Sequence, residues 1–142
     1  MALEITRNAL QTVAANGNVL FDETPVRDCR RQIIHREGSG IVSLRGCTNQ
    51  CRARYKVEFG ANGAIPMDGA VEAISLAIAL EGEPLGSATM IVTPAAVEEF
   101  WNVHAAVFVE VPCGCCATIA VRNTSTQPID VRNANLIVDR VA

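Results

Sequence analysis

Six cysteines in 142 residues, Cys29, Cys47, Cys51, Cys113, Cys115 and Cys116, dominate the chemistry open to this chain. Thiolates from Cys47-x3-Cys51 and Cys113-Gly-Cys115-Cys116 can hold zinc, provided the two loops meet. The x3 spacing of the first pair departs from the Cys-x2-Cys knuckle that announces a zinc site in a sequence. An even number of cysteines also permits a disulfide framework. However, Met1 to Leu20 carries Glu4 and Arg7 and no apolar signal core, which predicts synthesis in a reducing cytosol, with bridges only after release. In the third reading each cysteine is a small hydrophobe in a turn or strand. The spacing leaves all three open, so no metal or cofactor is assigned.

The other reactive side chains form no recognisable set. His35 and His104 are far apart and outside any HxH or HExxH arrangement, too few nitrogen ligands for a metal centre. His35 with Cys47 would make a nucleophile pair only with an orienting group and an oxyanion site, neither of which the sequence announces. Glu98 and Glu99 are neighbours, so on a strand they face opposite ways and in a loop they are solvated. The glycines build neither GxGxxG nor GxxxxGK[ST]. The chain is read as non-enzymatic, with no catalytic residue.

Charge narrows the partners. The net charge is −3, and the basic residues are arginines apart from Lys56. The one cluster, Arg27, Arg30, Arg31 and Arg36, is diluted by Asp22, Glu23, Asp28 and Glu37. With one Trp, one Tyr and four Phe, the chain lacks the one-sign stripe and stacking aromatics of a nucleic-acid groove. Charge-free stretches are short and broken by Gly, Pro and Asn, which argues against a membrane-spanning helix.

Residues of this kind need a scaffold, and its pattern is β. Val, Ile and Thr make up about a quarter of the chain. Ile74, Leu76, Ile78 and Leu80 alternate with Ser75, Ala77, Ala79 and Glu81. Val103, Ala105, Val107, Val109 and Val111 alternate likewise, leaving His104 on the opposite face. Turn clusters recur as AANGN, REGSG, GANGA, EGEP, VPCGC and NTSTQP, and Thr93-Pro94 opens a short loop. The spacing predicts nine or ten strands in one domain over residues 1–142, an all-β antiparallel two-sheet sandwich of jelly-roll type. Residues 1–15 form either an edge strand or an arm that grips a neighbour. Area scaling gives such a domain about 7,100 Å² of accessible surface.

Hydrophobic residues reach 49% and mean hydropathy +0.22. AVFVEV around Phe108, and Leu136, Ile137 and Val138, are apolar on both strand faces, whereas an antiparallel sandwich normally wets one. The second face needs a cover, and another copy of the chain is the simplest one.

Five stretches resemble the tumour necrosis factor and complement-q jelly-roll superfamily. NGNVLFDET (16–24) is similar to its early strand with an apolar-Phe-Asp ending, and GSGIVSLRG (38–46) to the Gly-started strand that follows. RYKVEF (54–59) stands where the central aromatic-containing strand falls. ISLAIALEGEPLGSATM (74–90) is similar to the apolar strand, turn and return strand, and IDVRNANLIVDRV to the closing strand. The resemblance implies a homotrimer. Within it the chain resembles small bacterial and phage jelly-roll proteins, which implies a virion decoration protein or fibre head made in the bacterial cytoplasm, or a protein of the bacterial cell surface. Capsid or fibre proteins, or a cell-surface glycan, are then the expected partners, met through three copies of the EGEP, NTSTQP and GANGA loops. A cytokine-like or glycan-binding trimeric ligand and a small cysteine-ligated metalloprotein are the alternatives.

Overall fold

The computed structural model describes residues 1–142 as eleven strands with no helix. In chain order these are β1 (Ala2–Arg7), β2 (Gln11–Val13), β3 (Glu23–Val26), β4 (Ile33–His35), β5 (Val42–Arg45), β6 (Arg52–Ala64), β7 (Ile74–Leu80), β8 (Glu83–Val92), β9 (Trp101–Pro112), β10 (Cys116–Asn123) and β11 (Ile129–Arg140). Two strands, β2 and β4, are three residues long, too short for a period-two signature, which is why a count of nine or ten falls short. The accessible surface is 7191 Å², close to the scaling value.

The strands form two antiparallel sheets that pack face to face as a jelly roll. One runs β3-β1-β11-β6-β9, with β2 also on β11, and the other runs β4-β5-β10-β7-β8. The N-terminal segment lies within its own subunit's sheet: Ala2 through Arg7 pair with Asp139 through Ala134, and β3 covers the far side of β1. Alternation places Ile5, Tyr55, Val57, Phe59, Leu136 and Val138 of the first sheet against Val42, Leu44, Ile78, Ile119 and Val121 of the second. Phe21, just before β3, meets Phe59 edge-on at 6.3 Å between ring centroids.

Of three local sequences read as turns or loops, two behave as their chemistry requires and one does not. Glu81 and Gly82 both have positive φ (53° and 80°), so EGEP closes β7 onto β8 through a two-residue turn of the I′ kind. The segment after Thr93-Pro94 is a loop, as expected. GANGA, read as a turn, is instead the last part of β6. Gly60 and Gly63 pair with β9 on one side and β11 on the other, and two flanking strands override local turn propensity. This also breaks up the proposed set of binding loops. EGEP caps the end of the sandwich where β10 begins, NTSTQP the end where β10 finishes, and GANGA is not a loop.

Candidate functional site

Two surfaces gather the residues that sequence singled out. The first is the outer face of the sheet containing β6, β9 and β11. Register sets Lys56 beside Phe108, Glu58 beside Ala106, Gly60 beside His104 and Ile137 beside Glu58 on its other flank. Because the core takes Val103, Ala105, Val109 and Val111, the alternate residues of β9 must point outward. Phe108 is 61% exposed and Trp101, at the start of the strand, 47%. At the centre Glu58 holds Lys56 at 2.9 Å and His104 at 3.7 Å. The hydrogen bond and charge of Lys56 pull the Glu58 carboxyl below its usual pKa, and Glu58 in turn raises Lys56. His104 is exposed on the face opposite Val103 and Val107, as the alternation predicts. The face therefore carries an apolar strip, Phe108, Ala106 and Ile137, around a satisfied ion pair.

The second surface is the end of the sandwich where β6 and β10 begin and β5 and β9 finish. The loops carrying Cys47 and Cys51 and the turn carrying Cys113, Cys115 and Cys116 do meet there. Gly46 N–H donates to the Cys115 carbonyl (2.8 Å), Gly114 N–H to the Gly46 carbonyl (3.2 Å), and Cys113 N–H to the Cys51 carbonyl (3.0 Å). Gly46 is the residue that allows this approach, since a Cβ there would fall 2.1 Å from the Pro112 carbonyl oxygen. Cys29 joins the same end in a loop organised by Asp28, whose carboxylate accepts from the backbone N–H groups of Arg30 (3.1 Å), Gln32 (2.8 Å) and Ile33 (3.0 Å). Beneath them the buried Tyr55 hydroxyl donates to the Arg45 carbonyl at 2.6 Å, tying one sheet to the other. Burial lifts the Tyr55 pKa above its usual value, while the Arg140 guanidinium opposes the shift.

All six cysteines are exposed and unpaired, which overturns their reading as buried packing groups. Loop ends have no core to hide in, and all of the cysteines but Cys116, the first residue of β10, lie outside the strands. No three His, Cys, Asp or Glu side chains are grouped to hold a metal ion. The conceivable nucleophile pair is not assembled. His35 pairs with Val42, five residues before Cys47, so strand rise alone separates them by roughly 16 Å. His35 Nε2 lies 2.8 Å from the Ser39 carbonyl and its ring meets Phe21 edge-on. Glu99 is not simply solvated, because its carboxylate accepts from the Trp101 indole N–H at 2.9 Å. An internal gap between the sheets, lined by Ile74, Leu76, Met90, Val103 and Ile129, carries no titratable group. Gly46 and Asp28 went unmarked in the sequence, where each reads as an ordinary loop residue.

No family model matches this sequence, and no curated protein is similar to it. Solved structures are. The globular domain of zebrafish complement 1qA protein aligns with a TM-score of 0.65 at 11% identity, covering 99% of this chain and 94% of that one. Murine APRIL at pH 5.0 aligns with a TM-score of 0.68 at 12% identity, covering 99% and 98%. Eiger TNF from S. frugiperda aligns with a TM-score of 0.73 at 14% identity, covering 100% and 92%. The fold is the tumour-necrosis-factor-like jelly roll. At these identities the likeness speaks for architecture and leaves function to the surfaces just described.

Proposed function

We propose that this chain is a non-catalytic binding module that works as a homotrimer, with the outer face of β11, β6 and β9 turned toward its neighbours. The observation that carries the reading is Phe108, a large aromatic 61% exposed on a long strand at the sheet edge, with Ala106 two residues away on the same face. A second copy would remove this strip from water without disturbing the ion pair at Glu58, because Lys56 already neutralises it. The neighbours' shared fold supports a trimer over other symmetries. Three copies of one weak loop site would then act together, and avidity would supply the affinity that each lacks.

Within that class the role we propose is display on a virion, as a capsid decoration protein or fibre head. Support comes from a fold-level analogy of the whole chain to small jelly-roll proteins of bacteria and their phages. A cytokine-like ligand is the second reading, favoured by the similarity to APRIL and Eiger TNF. Light scattering on the purified chain tests the assembly. A mass three times that of the 15.2 kDa chain is expected, and a stable monomer at micromolar concentration would overturn it. Density-gradient sedimentation of phage lysates from the source strain then separates the roles. Co-migration with capsids supports decoration, whereas its absence together with saturable binding to animal cells supports the ligand.

A further inference from the structure

The cysteine-bearing end holds one pair of thiols in register. The β6–β9 ladder pairs Tyr55 with Val109, Ala53 with Val111 and Arg52 with Pro112, so the next step sets Cys51 opposite Cys113. The bond from Cys113 N–H to the Cys51 carbonyl, at 3.0 Å, is the last across these two strands and holds the two residues side by side just beyond the final pair, Arg52 and Pro112. Opposed residues joined by such a bond have Cα atoms about 5.5 Å apart, inside the span of roughly 4.4–6.8 Å that a disulfide bridges. Cys51 immediately precedes β6 and Cys113 immediately follows β9, and both thiols are exposed at this end of the sandwich. The Cys113 thiol already points back at the opposing loop, donating to the Thr48 carbonyl at 3.3 Å.

No other couple is opposed in this way. The β5–β10 ladder pairs Arg45 with Cys116, which sets Gly46 opposite Cys115 and Cys47 opposite Gly114, so each remaining cysteine of this end faces a residue without sulfur. Cys29 lies in a separate loop, held by Asp28.

We infer that Cys51 and Cys113 form an oxidation-triggered staple, joining the start of β6 to the end of β9 when the protein leaves a reducing compartment. The chemistry is exchange with a low-molecular-weight disulfide such as oxidised glutathione. One cysteine thiolate attacks the glutathione disulfide, giving a mixed disulfide and one glutathione thiolate. The partner cysteine then attacks the protein sulfur of that mixed disulfide and releases the second glutathione. Two protein thiols are oxidised and one small disulfide is reduced, the two protons lost by the protein thiols ending on the two glutathione thiols. The staple closes a long stretch of chain and anchors the strand that bears Phe108, so it sets the rigidity of the assembly face independently of what that face binds.

The test is mild oxidation of the full purified chain with glutathione disulfide at dilute protein, followed by thiol counting and fragment-ion mapping of the linked peptides. Accessible thiols should fall from six to four, with Cys51 joined to Cys113. The oxidised protein should melt roughly 10 °C above the reduced one, and dithiothreitol should reverse the shift. Because single substitutions can perturb folding, the companion protein is Cys29→Ser/Cys47→Ser/Cys115→Ser/Cys116→Ser, which keeps only the proposed pair. It should form the link within about twofold of the native rate, on the view that opposed thiols need no help from the others. A dominant link between any other pair in the native chain would overturn the inference, as would failure of the folded two-cysteine protein to close.

Discussion

The two long edge strands, β8 and β9, face the same hazard and meet it differently. Both end a sheet, and both carry a large apolar side chain outward, Ile91 at 66% exposure and Phe108 at 61%. β8 opens with Glu83 and Pro84 and breaks register between Ala77 and Ala79 of its partner, so its edge is charged, short of donors and bent. β9 pairs with β6 over twelve residues without a shift, and its only proline is the last residue. The remaining edges are blunted too: β3 has four residues including Pro25, and β4 has three. Proteins defend edges that must stay single with prolines, charges, bulges and brevity. Three of the four edges here are blunted by such devices, whereas β9 has only the exposed Glu110 and its terminal Pro112, which leaves β9 the edge most open to the cover proposed above.

That contrast can be broken most directly by charge. Phe108→Asp should weaken self-association about a thousandfold, read as a shift from trimer to monomer by light scattering across a dilution series. Ile91→Asp, the equivalent change on the guarded edge, should leave the mass unchanged. Equal loss from both would end the distinction between the edges.

Next in size is Gly46→Ala. Its new Cβ would collide with the Pro112 carbonyl oxygen, now 2.1 Å from that position, and would push the end of β9 off β5. A stability loss of about 2–3 kcal/mol is expected by urea titration, with faster amide exchange at Cys113 to Cys115. Tyr55→Phe should cost about 1–2 kcal/mol, because the Arg45 carbonyl loses its 2.6 Å partner in a buried place. That cost should fade in strong alkali. The buried Tyr55 hydroxyl has a raised pKa, so its contribution is complete below the ordinary tyrosine value near 10 and is lost as pH rises through the folded value.

The smallest effect belongs to the ion pair on the assembly face. Glu58 has a depressed pKa, so what it adds is present above the ordinary carboxylate range and disappears as pH falls through the folded value. Glu58→Gln should lower the melting temperature on the order of 1 °C at neutral pH and by nothing in acid, because half-exposed pairs are screened. A large neutral-pH loss measured in the trimer but not in the Phe108→Asp monomer would sharpen the comparison by placing Glu58 inside the interface.

Much of the architecture was legible before folding because it depends on alternation, which is local. The β9 pattern picked out Val103, Ala105, Val109 and Val111 as buried and the β7 pattern Ile74, Leu76 and Ile78, although Leu80 and Val107 are only partly buried and Ala77 and Ala79 are buried on the opposite face of β7. Turn chemistry was less dependable. EGEP carried its turn in its own backbone preferences, whereas GANGA was held straight by strands on both sides. A turn motif states what a free segment prefers, and two hydrogen-bonded neighbours outweigh that preference.

The cysteines mark the boundary between the two kinds of knowledge. Their number, their clustering in turns and the all-β pattern around them follow from residue order, since period-two burial and turn propensity act over a few neighbours. Nothing in that order says that Cys51 faces Cys113 across 62 residues of chain while Cys47 faces a glycine. Strand register says so, and register is settled by how two whole sheets bury their inner faces, a slip of one residue exposing every core side chain on the strand.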